Sequence, residues 1–290
     1  MRADWDHEHM QRKPLGEYEL FRNWSGRPRI WGPNGEARAW FGGQVVEGLC
    51  AVLDEHLAAT GGGSAAIGCV PWLTSGAVIE RLAKLSSLCV VIDKGTENRD
   101  AVSRLTLEDD DGFERGFPNH AVARLAGIVP ANDGAPLMVG PYTPREAIEH
   151  IIEPVRIVGW RGGKRNPILH AKMLVMGRIE LVDYGHPDYG SDEQLKFRPM
   201  AVWSGSANWT EGSLNHLEFG FVSHDAELLG AATDFVADVI AFSEPLGSEC
   251  AGPEPNMLGY DVDDAAMWEA SEQERLDHLA EFEYGNEDEC

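Results

Sequence analysis

Two apolar runs joined by a short helix-patterned segment constrain the fold of this chain more than any other feature. Ala65 to Leu73 is almost wholly apolar, and Thr74 or Ser75 then offers a helix cap. Val78, Ile79, Leu82 and Leu85 recur at helical spacing, and Leu88 to Ile92 is apolar again. Strands without polar alternation are buried on both faces, the condition of a parallel pair. A helix between them closes a right-handed crossover. The class predicted is α/β.

The flanking pattern extends that unit. Val45 to Leu57 reads as a helix and Gly61 to Ser64 as a loop. A helical stretch is expected from His120 to Leu125, and Thr143-Pro144-Arg145-Glu146 reads as a helix start, with proline at the first position and glutamate at the third. Val155 to Val158, Ile168 to Met176 and Pro199 to Ser204 read as successive strands. A short helix over Trp209 to Asn215, a strand over Glu218 to Ser223 and an amphipathic helix over Ala226 to Phe242 complete the series. Three regions are expected: an irregular arm over 1–40, a main domain over 41–245 and an acidic tail over 246–290. The tail reads as mostly mobile, with a helix over Asp264 to Phe282.

Charge excludes some partners. The 290 residues carry a formal net charge of −24. The stretch from Glu249 to Cys290 holds −13 of it, leaving −11 for the rest, so general attraction to nucleic acid or anionic lipid is absent. Locally the sign inverts. Arg156, Arg161, Lys164, Arg165, Lys172 and Arg178 fall between Val155 and Arg178 with no Asp or Glu among them. Arg161, Lys164 and Arg165 are therefore candidate phosphate or nucleic-acid ligands. The first residues, Met-Arg-Ala-Asp-Trp-Asp-His-Glu-His, form no signal peptide, and no apolar run reaches membrane-spanning length. A cytoplasmic protein without stable membrane association is expected. Cys50, Cys69 and Cys89 sit in apolar patterns and read as buried thiols, and no cysteine spacing suggests a metal site. Asp183, His186, Asp188 and Asp192 lack regular ligand spacing and read as a solvated loop.

The chemistry concentrates in two short motifs. His170-Ala171-Lys172 places a histidine and a lysine two residues apart, on one face if the segment is a strand. Gly205-Ser206-Ala207-Asn208 follows, in which the glycine admits close backbone approach and Ser206 and Asn208 offer hydrogen-bond donors. Glu218 is an acceptor able to fix a histidine tautomer. Histidine attacks phosphorus, lysine neutralises a phosphate oxygen, and the amide and hydroxyl complete a cradle. Alone, a strand histidine is usually a satisfied core group and a Gly-Ser-x-Asn usually a turn. Their joint order points to phosphodiester cleavage. His120, His216 and His224 are assigned no role.

His170-x-Lys172 and Gly205-Ser206-x-Asn208 resemble the signature of the phospholipase D superfamily, with similar apolar lead-ins at Ile168-Leu169 and Ala201-Val202-Trp203. One position departs: the motif aspartate would fall at Gly177. In that family the aspartate is mainly structural, and some branches lack it. The acidic residue also sits differently, at Asn215-x-x-Glu218 where the family usually has Asn-x-Glu. The resemblance implies a mixed β-sheet covered by helices on both faces, which the element order fits. It implies metal-independent, cofactor-free catalysis through a covalent phosphohistidine on His170, with Lys172, Ser206 and Asn208 holding phosphate oxygens and Glu218 accepting from the imidazole. Family enzymes bring two His-x-Lys motifs to one site, and none of the other nine histidines here is followed two residues later by lysine. A homodimer with His170 from both subunits is therefore expected. The leading expectation is a nuclease acting on DNA or RNA. The alternatives are a phospholipase or phosphatidyl-transferase, and an inactive nucleic-acid-binding protein.

Overall fold

The apolar runs become the centre of a sheet with nine strands among the described residues. The computed structural model describes residues 29–31, 37–106, 116–131, 133–144, 147–162, 169–183, 185 and 193–285. The main strands are β1 (Arg29–Trp31), β2 (Ala37–Phe41), β3 (Ser64–Val70), β4 (Ser87–Asp93), β5 (Val155–Val158), β6 (Met173–Asp183), β7 (Glu193–Gly205), β8 (Phe219–Ser223) and β9 (Glu244–Pro245). Their order across the sheet is β1-β2-β8-β7-β6-β3-β4-β5-β9. β3, β4 and β5 run parallel, and every other neighbouring pair is antiparallel. The helices are α1 (Val45–Thr60), α2 (Gly76–Leu82), α3 (Ala226–Ala241) and α4 (Asp264–Gly285), besides one turn at Arg99–Val102.

Strand alternation divides β3 between two cores. Ala66 and Val70 pack with Leu49 and Leu53 of α1 and Val78 and Leu82 of α2. Ala65, Ile67 and Cys69 point to the opposite face and join Val236 and Ile240 of α3. A strand buried on both sides must be apolar at every position, which is why β3 carries no alternation. The mixed sheet with helices on both faces is the predicted architecture. Burial drives the Cys69 and Cys89 thiols up to about 12, so both act as small hydrophobes.

Several local expectations change. Residues 37–40 of the expected irregular arm are sheet: β2 pairs β8 and carries β1 on its other side. Residues 1–28 lie outside the described set. The stretch at His120 is a 3-10 turn, Asn119–Ala121; of the helix expected to start at Thr143, residues 145 and 146 lie outside the described set and Ala147 is a 3-10 residue whose amide donates to the Pro144 carbonyl at 2.9 Å. Ser75 sits at the α2 cap without a side-chain cap bond; the Thr74 and Ser75 amides donate to the Trp209 carbonyl at 3.0 and 2.9 Å instead. This pins the segment after β7 to the end of β3.

The acidic C-terminal segment is docked where a mobile tail was expected. β9 pairs β5, Met257–Gly259 pairs Ile128–Pro130, and Asp261–Val262 pairs Met138–Val139. The partners are cations that sequence patterning cannot locate. Lys94, with its side chain fully buried, donates to Glu244 at 2.7 Å and to the Gly252 carbonyl at 2.8 Å. Buried Arg156 donates to Ser243 and Asn256. Beyond the clamp, α4 exposes Trp268, Leu276 and Leu279. Among the described residues no helix is long and apolar enough to cross a membrane.

Candidate active site

The antiparallel register gathers the predicted residues at one edge of the sheet. Met173 opens β6 opposite Cys69 near the end of β3 and Ser204 near the end of β7. Residues just before Met173 therefore emerge beside Gly205 and beyond Val70. Gly205 pairs Gly220, so Glu218 leaves the same edge one residue before β8. The strand expected over Ile168 to Met176 starts at Met173, so His170 and Lys172 precede it in an irregular segment.

That segment is fixed by three hydrogen bonds among the described residues. The Leu169 amide donates to Asp93 Oδ2 at 3.2 Å, Lys172 Nζ donates to the His170 carbonyl at 2.9 Å, and the Gly205 amide donates to the Lys172 carbonyl at 3.3 Å. Leu169 and Lys172 are buried while His170 is exposed. Burial pushes the Lys172 ammonium below the ordinary lysine range, an effect opposed by the nearby Glu218 carboxylate.

Ser206 and Glu218 form the second half. The Ser206 amide donates to the Phe219 carbonyl at 2.9 Å, its hydroxyl accepts from the Phe219 amide at 3.0 Å, and that hydroxyl donates to Glu218 Oε2. Glu218 Oε1 lies 3.8 Å from His216 Nδ1. The structure thus joins Glu218 to Ser206 and His216, and no hydrogen bond joins it to the His170 ring as the resemblance implied. Asn208 is fixed through its carbonyl, which accepts from Ser213 at 2.8 Å, while its buried Oδ1 has no hydrogen-bond partner. Lys172, Ser206 and Glu218 share one electrostatic neighbourhood, with Asn208 two residues beyond.

Two glycines act through packing. A Cβ on Gly205 would press into the Phe219 carbonyl and come within 2.8 Å of Gly220 Cα, so this glycine is required by strand contact with β8. Its expected role was phosphate approach. Gly177 lies at a bulge in the β6–β7 pairing, where a Cβ would run into the Arg198 carbonyl and lie 2.7 Å from the Phe197 ring. No aspartate fits there without moving β7.

The basic stretch is largely spoken for. Arg156 is buried in the clamp, and Arg161 lies 2.9 Å from Glu97 and donates to the Ser248 carbonyl at 2.7 Å. Arg178 lies 3.5 Å from Glu180. Lys164 and Arg165 lie outside the described residues, as do His186, Asp188 and Asp192. Among the described cations of this stretch, Lys172 alone has a backbone carbonyl as its sole hydrogen-bond partner.

Two cavities flank the edge. One of about 410 Å³ is lined by His170, Ala171, Leu169, Phe235, Val239 and Phe242. The other, about 540 Å³, is lined by Trp72, Thr74, Asn98, Arg99 and Thr210, among others. The Trp72 carbonyl accepts from the Trp209 amide at 3.0 Å, which holds this cleft next to Asn208. Sequence reading missed Trp72 and Asp93. The available signal was position, since open α/β sheets bind ligands beyond the carboxyl ends of parallel strands and both residues sit there.

Fold and site together define a mixed α/β protein with a histidine, a lysine, a serine and an amide at one sheet edge. The chain is similar in structure to NucT from Helicobacter pylori, at 10% identity and a TM-score of 0.42, over 72% of this chain and 98% of that one. It is also similar to Nuc from Salmonella typhimurium, a phospholipase D family member, at 13% identity and a TM-score of 0.37, over 72% and 97% of the two chains. Polyphosphate kinase from Porphyromonas gingivalis matches at 14% identity and a TM-score of 0.35, over 78% of this chain and 28% of the kinase. Neither a protein-family model nor a curated protein matches the sequence.

Proposed function

We propose that this protein is a phosphodiesterase that cleaves nucleic acid through a covalent phosphohistidine. The observation that carries the reading is Lys172. It is a buried ammonium whose one hydrogen-bond partner among the described residues is a neutral carbonyl, beside an exposed histidine at the edge where Ser206 and Asn208 emerge. A buried cation with no anion hydrogen-bonded to it is costly even with the Glu218 charge nearby, and an anionic ligand relieves that cost. Phosphate is the anion that an adjacent imidazole can attack.

In this mechanism a His170 ring nitrogen bonds to phosphorus as the bond to the leaving oxygen breaks. The leaving oxygen takes a proton from a second imidazole. That imidazole then removes a proton from water, whose oxygen displaces His170 from phosphorus. Lys172 and the Asn208 amide stabilise charge on the non-bridging oxygens. A second copy of the chain supplies the second imidazole. Supporting a dimer, His170 borders an apolar cavity whose wall includes the exposed Phe235 and Phe242, which self-association would cover. Trp72, half exposed over the second cleft, offers a face on which a nucleobase can stack.

A second reading rests on the same apolar cavity, which would also receive the hydrocarbon of a phospholipid. One assay separates them. Hydrolysis of bis(p-nitrophenyl) phosphate in excess EDTA is measured for wild type and His170→Ala, then DNA, RNA and phospholipid vesicles are compared. Turnover that survives EDTA, disappears in the variant and extends to polynucleotide supports the proposal. Turnover of vesicles alone transfers the reading to lipid. A folded wild type inert on all four substrates rejects both.

A further inference from the structure

We infer that Asp93 is a positioning residue that holds the His170 segment in its reactive place. The inference rests on His170 being the nucleophile. Asp93 closes β4, the central one of three parallel strands, and is 8% exposed. Its two carboxylate oxygens divide their work. Oδ1 accepts from the Gly95 amide at 2.9 Å, closing the turn after the strand, and Oδ2 accepts from the Leu169 amide at 3.2 Å.

The reach to Leu169 matters because residues 169–172 belong to no strand and lack a ladder of their own. The other two bonds that fix the segment both lie on the far side of His170. One runs from Gly205 to the Lys172 carbonyl, and the other is the internal bond from Lys172 Nζ to the His170 carbonyl. Asp93 supplies the one hydrogen bond, among the described residues, that holds the segment on the near side of His170.

The carboxylate is itself rigidly mounted. The Asp93 amide donates to the Pro71 carbonyl at 3.2 Å, and its carbonyl accepts from the Thr96 hydroxyl at 3.2 Å. Burial raises the Asp93 carboxyl above the ordinary range, and the two amides pull it back. A group that is disfavoured as an anion yet aimed at two backbone donors suits placement of a chain segment rather than proton transfer. Because the nucleophile must meet phosphorus within a fraction of an ångström, release of Leu169 acts on the chemical step and leaves substrate binding alone.

Asp93→Asn is nearly isosteric but turns one acceptor oxygen into a donor, so one of the two amides loses its bond. The expected result is a kcat lower by about 100-fold with KM unchanged, and phosphohistidine formation in single turnovers slowed equally. In a histidine-labelled 1H–15N spectrum taken without substrate, the His170 ring signals shift or broaden while those of His224 hold. Glu244→Gln is the control for a merely structural loss: it weakens the clamp at Lys94, lowers the thermal midpoint and leaves kcat as in wild type. Asp93→Asn with wild-type kcat and unmoved His170 signals overturns the inference. An inert wild type whose His170 signals still move in Asp93→Asn rejects the phosphohistidine reading while the positioning role stands.

Discussion

Lys94 and Lys172 are both buried lysines beyond the edge of the same sheet, and their surroundings are opposite. Lys94 meets a buried carboxylate at 2.7 Å and a carbonyl at 2.8 Å, so its charge is answered within the chain. Lys172 meets one carbonyl at 2.9 Å, and burial depresses its pKa. The first arrangement is complete and ties the C-terminal segment to β4. The second has, among the described residues, no carboxylate hydrogen-bonded to it, and Glu218 acts on it only through its nearby charge. Burial alone therefore does not distinguish the two lysines; the carboxylate bonded directly to Lys94 does.

Mutation separates the two regions by what is lost. His170→Ala carries the largest effect, lowering hydrolysis of bis(p-nitrophenyl) phosphate by at least about four orders of magnitude while the thermal midpoint holds. Next comes Lys94→Met, which strands the Glu244 carboxylate in the interior and costs about 3–5 kcal/mol in chemical denaturation, leaving kcat unchanged where the protein stays folded. Lys172→Met gives the reverse pattern. Its kcat falls about 10²–10³-fold, and it loses far less stability than Lys94→Met because no carboxylate is hydrogen-bonded to it among the described residues. If both lysine variants lose stability alike, the contrast between the regions is wrong.

Gly177→Asp restores the motif aspartate by letter but drives a side chain into β7, so a loss of about 1–3 kcal/mol and no gain in turnover are expected. The smallest effect is one of pH. The Lys172 pKa is lower in the folded state than in the unfolded chain, so folding excludes a proton between the two values. Wild-type stability consequently rises, relative to Lys172→Met, as pH climbs from the depressed value toward about 10.4. Parallel denaturation curves of the two proteins across that window measure it, and a difference that stays flat with pH removes the depressed lysine from the argument.

Much of the candidate site was legible because its spacing is local. His170, Lys172, Ser206, Asn208 and Glu218 could be named from two motifs and a downstream acid, and all leave one sheet edge because β6 lies between β3 and β7. Their pairings were less legible. Glu218 faces Ser206 rather than His170, and Arg156 and Arg161, which read as part of a local basic patch, are held by Ser243, Asn256, Glu97 and Ser248. Such partners lie up to a hundred residues away in sequence, where no periodicity operates.

By itself the sequence determined the β3-α2-β4 crossover, the two-sided burial of β3 and the chemical identity of the motif residues. These follow from hydrophobic period and residue type, which are local properties. Tertiary structure alone decided that β2 extends the sheet, that Gly205 and Gly177 serve strand contact, that Asp93 reaches Leu169, and that the acidic C-terminal segment is clamped to the body. Each of these depends on which distant group arrives to satisfy a buried polar atom or fill a space, and that is set by how the whole chain packs.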